Sequence, residues 1–226
     1  MPYVSVNPAT GEIVSTYDDF TPEEVDRRLS LAADAFPSWR ATSFLDRSRL
    51  MTRAAELVEG EIPVVAEMLS REMGKTFAAA KGEASKCAMT MRFYAEHAES
   101  MLVEEAIASP ASRSGVRYDP LGVILAVMPW NFPLWQVVRF AAPALMAGNV
   151  GVLKHASNVP ESALFLEDLF RRAGFPEGTF VNLFIPVGPF VLHTVFLVET
   201  LDLTMAKHRQ PGHGDQQHAG SEVFAL

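Results

Sequence analysis

Apolar residues follow two rhythms along this chain, one filling roughly the first hundred residues and the other taking over after Gly115. In the first, Val25, Leu29, Leu31, Ala32 and Phe36 recur at helical spacing. Thr21, Pro22, Glu23 and Glu24 ahead of them make an N-terminal signal, and Pro37 is expected to end the helix. Further helices are predicted at about 45–59, 62–73 and 76–103. The last places Ala84, Cys87, Ala88, Met91, Tyr94, Ala95 and Ala98 on one face. Before all of these, Tyr3 to Asn7 and Glu12 to Tyr17 are strand-like around the turn formers of Asn7 to Gly11, which predicts a hairpin.

The second rhythm is continuous. Val123 to Met128 is an unbroken apolar run, as expected of a strand covered on both faces, and Val150 to Lys154 repeats it. Residues 159–173 read as a helix, Thr179 to Ile185 as a third strand, and Gly115 to Asp119 as a strand ahead of the run. Asn158 with Glu161 reads as a capping box, and Gly174 followed by Pro176 as the helix end. Strand, helix, strand implies a parallel sheet. The predicted fold class is α/β, a parallel Rossmann-like sheet with covering helices, preceded by helices and short strands.

Composition narrows the partners. With 226 residues, 49% of them apolar, the chain can bury a sizeable core. A net charge of −8 leaves no basic surplus to neutralise phosphates, so neither nucleic acid nor an anionic membrane is expected to bind. The apolar stretches at 121–135 and 189–206 are broken by Pro129 and Pro133 and by His193, Glu199 and Asp202, and neither reads as a membrane span. The single cysteine, Cys87, rules out an internal disulfide framework, and with no leader pattern at the N-terminus the cytoplasm is the expected compartment.

A parallel sheet places ligands beyond the carboxyl ends of its strands, and both such places carry unusual residues. In Pro129, Trp130, Asn131, Phe132 and Pro133, two prolines fix the backbone around an amide. Asn131 has two readings here, a donor to a developing oxyanion or a helix N-cap. Lys154, followed by His155, Ala156 and Ser157, is either a cation for ribose hydroxyls or phosphate, or a solvated lysine at a strand end. No Gly-x-Gly-x-x-Gly follows either strand, so any dinucleotide must be held differently.

Taken together, the runs Pro120 to Val123, Pro129 to Trp135, Leu153 to Ser157 and Ala173 to Gly178 resemble the aldehyde dehydrogenase superfamily, most closely its succinate-semialdehyde dehydrogenase branch. Asn7 to Gly11, Phe36 to Trp39, Arg47, Arg49, Glu72 to Lys75 and the helix around Lys86 follow in family order, so the likeness covers residues 3 to about 185. It implies oxidation of a small-molecule aldehyde, in that branch succinate semialdehyde, to its acid. It also implies Asn131 as the oxyanion amide, Met128, Pro129 and Trp130 beside the nicotinamide ribose, and Lys154 at the adenosine ribose. Members that prefer NAD tend to carry a glutamate where this chain has Ser157, which favours NADP over NAD as cofactor. Homo-oligomers are implied too, with the hairpin and the strand at 115–119 as contact strands.

The reaction also needs a cysteine thiolate and a glutamate base. Cys87 falls on the buried stripe of a helix and reads as structural. None of the family's later segments, the Gly-Ser turn, the Glu-Leu-Gly-Gly segment or the cysteine loop, shows in residues 186–226. The expected division is therefore 1–185, a partial cofactor-binding domain, and 186–226, a divergent tail, partly disordered, with Arg209 to Gly220 unfolded. His208, His213 and His218 in that tail are not spaced as zinc ligands, and no metal site is expected. By itself the chain is expected to be inactive, and its open sheet edge to favour aggregation or association with homologues. The tail reads as a shifted frame would, which translation of the DNA in the other two frames checks: no family-like segment there removes the idea.

Overall fold

A computed structural model describes residues 2–186. Of the tail expected at 186–226, all but its first residue lies outside the described residues, and with it the histidines at 193, 208, 213 and 218.

An antiparallel hairpin of β1 (Tyr3–Val6) and β2 (Ile13–Tyr17) opens the chain, as the turn residues predict. Four helices follow: α1 (Pro22–Ala41), α2 (Phe44–Gly60), α3 (Ile62–Met73) and α4 (Phe77–Met101). Thr21, Ser43 and Thr76 cap α1, α2 and α4 by accepting a backbone N–H three residues on. Gly74 ends α3 in the left-handed region at φ 75°, where a residue without Cβ is favoured.

Pro37 does not end α1, contrary to expectation. The helix runs through it to Ala41 because the last turn is anchored by Trp39, which is fully buried. Its indole nitrogen donates to the Leu145 carbonyl at 3.2 Å and its ring meets Phe175. Burying a large aromatic offsets the hydrogen bond that an interior proline removes.

Next come two very short strands, β3 (Glu105–Ala106) and β4 (Gly115–Val116), paired only with each other. The strand expected over 115–119 is thus just two residues long, and its partner was not foreseen. Both lie exposed and form a separate two-stranded sheet among the described residues, with no further strand beside them to extend the ladder past Val116.

Then β5 (Val123–Met128), α5 (Trp135–Met146), β6 (Val150–His155), α6 (Pro160–Ala173) and β7 (Phe180–Asn182) form a parallel sheet in the order β5-β6-β7. This is the predicted α/β architecture. α1 packs against all three strands, α5 and α6 against their neighbours, and α2 to α4 form an outer helical layer. β6, central and flanked on both sides, is buried at every position. No helix among the described residues is long and apolar enough to cross a membrane.

The hairpin closes onto the end of the sheet through Tyr3. Its fully buried hydroxyl donates to the Ile185 carbonyl at 2.8 Å and accepts the Ile185 N–H at 3.2 Å. Loss of solvation pushes the phenol up to about 12.

Candidate functional site

The carboxyl ends of β5 and β6 lie side by side, with Met128 in register with His155. The two motifs singled out from the sequence are therefore brought together. After Met128 the chain leaves the sheet as an exposed bend through Pro129, Trp130, Asn131 and Phe132, and Trp130 is 51% exposed.

His155 fixes that bend from beneath. It has no exposed surface. Nε2 lies 2.8 Å from the Pro133 carbonyl, and since a carbonyl only accepts, this nitrogen carries the proton. Nδ1 accepts the Ala156 N–H at 2.8 Å. Burial lowers the ring's pKa to about 4, so it stays neutral and ties the end of β6 to the loop after β5.

Asn131 is exposed and makes no hydrogen bond among the described residues. The cap reading of this residue is overturned. α5 starts later, at Trp135, and its first N–H groups are satisfied from another element. Glu83 of α4, 4% exposed, points Oε1 at the N–H groups of Leu134 and Trp135, each at 3.0 Å. Its other oxygen pairs with Lys75, whose side chain is 10% exposed. Removing one partner of such a buried pair costs about 3–5 kcal/mol.

α6 begins the same way. The capping box expected of Asn158 and Glu161 is not formed: Val159 holds the cap position without a side-chain bond, and Glu161 pairs instead with Arg71. Glu72 of α3 takes over, accepting from the N–H groups of Glu161 at 2.6 Å and Ser162 at 3.0 Å, and from the Ser162 hydroxyl at 2.6 Å. A buried carboxylate there also meets the positive end of the helix dipole. Neither glutamate was foreseen as functional. The signal was present, because Glu83 shares the apolar stripe of Ala80, Ala84 and Cys87, and Glu72 that of Val65, Ala66 and Leu69. A charge on a buried stripe demands a partner.

Lys154 is not a solvated strand-end lysine, since only 2% of it is exposed. Its ammonium donates to the His155 carbonyl at 2.9 Å and lies 5.5 Å from the centre of the Tyr3 ring. Desolvation lowers its pKa, against the pull of Asp19. An ammonium has three donors, and the other two of Lys154 find no acceptor among the described residues. Ser157, three residues on, is exposed and leaves no carboxylate at that strand end.

Cys87 is buried, and desolvation, reinforced by Glu83, raises its thiol well above the usual range despite Lys75 and Lys86. Its burial is as expected of a residue on that helix stripe. No group of three or more His, Cys, Asp or Glu able to hold a metal occurs among the described residues.

Burial dominates at Glu72, raising its pKa to about 7 from an ordinary 4.5. The folded protein then holds this proton more tightly than the unfolded chain, so Glu72's contribution to stability is full below pH 4.5 and is lost as pH rises through about 7. Urea denaturation from pH 5 to pH 8 should show the wild type's stability advantage over Glu72→Gln narrowing as pH rises. An advantage that widens would reverse the assignment.

A profile of the aldehyde dehydrogenase family matches residues 2–194, slightly beyond the 185 reached by the motifs. An NADP-dependent succinate-semialdehyde dehydrogenase of Mycobacterium tuberculosis is 56% identical over 191 residues, which is 83% of this chain and 42% of that protein. A relative of the same name from Mycobacterium avium is 53% identical, over 82% of this chain and 40% of its own length. Among solved structures, the succinic semialdehyde dehydrogenase of Streptococcus pyogenes in complex with NADP+ superposes with a TM-score of 0.79 at 34% identity, over 82% of this chain and 41% of that one. The chain thus spans about two fifths of the length of the curated relatives it matches.

Proposed function

Because the chain belongs to the aldehyde dehydrogenase family, we propose that it is the cofactor-binding part of an NADP-dependent enzyme oxidising an aldehyde, succinate semialdehyde, to its acid. The observation that carries this reading is the juxtaposition of a free amide and an under-satisfied cation at adjacent strand ends, on a chain whose relatives are named for NADP and that aldehyde.

The residues fit the cofactor. A buried ammonium with two donors left over is costly unless a ligand supplies acceptors, and ribose hydroxyls do so at Lys154. Met128, Pro129 and Trp130 form the open wall for the nicotinamide ribose, and Ala156 and Ser157 leave a strand end with no charge to repel a 2′-phosphate. NAD is the lesser alternative. His155, with both ring nitrogens used inside the protein, acts by positioning the loop. Bound NADP supplies the hydride acceptor. Asn131, held out from the fold with its amide free, donates to the oxygen of the reacting carbonyl as negative charge develops there.

The nucleophile is a different matter. Cys87 is the sole cysteine of the 226 residues, and its burial keeps it from forming a thiolate. Residues 1–185 are therefore read as a partial cofactor-binding unit, residues 186–226 as a divergent tail, and the chain assayed alone as inactive. Exposed Val103, Ile107, Val116 and Tyr118 around β3 and β4 favour a second role, association with copies or homologues. A cytoplasmic setting suits the free thiol of Cys87.

Tryptophan emission titrated with NADP, beside NADPH absorbance with several aldehydes, tests the reading. Saturable quenching without turnover is expected. Lys154→Met should weaken NADP about tenfold, while removal of a strained buried charge leaves the chain at least as stable. Turnover by the chain alone, or NADP binding indifferent to Lys154→Met, would refute it.

A further inference from the structure

The hairpin lies over the strand end that carries Lys154. β1 is tied there at two residues, and each tie reaches a segment just past a strand of the parallel sheet. The Val4 N–H donates to the Ser157 carbonyl at 3.2 Å, after β6. The Tyr3 hydroxyl closes on both backbone groups of Ile185, after β7. Between these ties the Tyr3 ring centre lies 5.5 Å from the Lys154 ammonium, and only 2% of that lysine is exposed. The β2 end of the hairpin is held separately. There the Phe20 N–H donates to the Phe184 carbonyl at 2.7 Å, and the rings of Tyr17 and Phe20 lie against that of Phe184.

This closed arrangement leaves polar groups unserved. Ser5 and Ser15 stand opposite each other across the hairpin, and both hydroxyls are buried without a hydrogen bond among the described residues. Two donors of Lys154 are in the same condition. A buried polar group without a partner costs free energy that water would return. Peeling β1 back breaks the bonds of Val4 and Tyr3 but solvates the serines and the ammonium, which lowers the cost of opening.

Resting on the function proposed above, we infer that the hairpin is a strap that holds Lys154 shut, and that β1 peels back before a cofactor ribose reaches the ammonium. Tyr3 is the latch, since its hydroxyl makes both bonds to Ile185 and its ring lies over the lysine. Cofactor affinity is then reduced by the fraction of molecules that are closed, and loosening the latch raises it. Tyr3 and Val4 are positioning residues that act through Lys154.

Lysine acetylation by sulfo-N-hydroxysuccinimide acetate, read by peptide mass spectrometry on the 226-residue chain without cofactor, reports the strap. Lys81, exposed on α4, is the reference amine, and the buried Cys87 thiol, probed with iodoacetamide, reports loss of the fold. Lys154 should react slowly in the wild type and about tenfold faster in Tyr3→Phe, which removes the latch hydroxyl. Val4→Pro, which removes the N–H bonded to Ser157 on a short extended strand, should open Lys154 about as much. Lys81 should react as in the wild type, and Cys87 should stay unlabelled. Each variant should bind NADP about tenfold more tightly than the wild type, and saturating NADP should restore the protection of Lys154. Acetylation of Lys154 at the wild-type rate in both variants, or faster only where Cys87 is alkylated too, overturns the proposal. So does NADP affinity that is unchanged or weaker in a variant whose Lys154 has opened. Opening of Lys154 with no NADP binding in any variant overturns the cofactor reading and leaves the hairpin as the cover of Lys154.

Discussion

A helix that begins inside a protein brings N–H groups that must find acceptors, and this fold answers that constraint twice with a glutamate from a neighbouring helix. Glu83 holds the start of α5 and Glu72 the start of α6. Each crosses from the outer helical layer to the sheet layer, so the two layers are joined by directional bonds as well as by apolar packing. Because α5 and α6 follow the carboxyl ends of β5 and β6, the same bonds fix the place from which both strand-end motifs emerge.

The consequence for chemistry is a division of labour. His155 and Glu83 are buried with their polar atoms engaged, and Lys75 is paired to Glu83, which leaves Asn131 and Trp130 free on a loop whose ends are pinned. Preorganised donors of this kind need no rearrangement when charge develops on a substrate. Lys154 differs, being buried with one hydrogen bond and two donors to spare among the described residues.

Much of this was legible in the sequence wherever one local signal decided the outcome. The continuous runs at 123–128 and 150–154 became neighbouring parallel strands, though only the second is central and buried throughout, while the first lies at the edge of the described sheet with Val127 exposed, and the stripe through Cys87 became a buried helix face. Failures came where a distant partner overrode the local rule. Pro37 stays helical because Trp39 is buried against Phe175, and Asn158 loses the cap because a carboxylate 86 or more residues away reaches the same N–H groups first. Likewise, exposure could not be read from position: Lys154 ends a strand yet lies beneath Tyr3, which no periodicity indicates. Spacing brought the two motifs to neighbouring strand ends, but the third element that fixes them, α4, carries its glutamate within an ordinary helical stripe.

If glutamate capping is what positions the site, its loss must be felt locally before it is felt globally. Amide hydrogen exchange of the wild type and Glu83→Ala under native conditions measures this directly. Exchange at Leu134 and Trp135 should rise about tenfold or more, while Glu161 and Ser162, held by Glu72, keep their protection. Unchanged protection at Leu134 and Trp135, or an equal rise at both helix starts, would contradict the account.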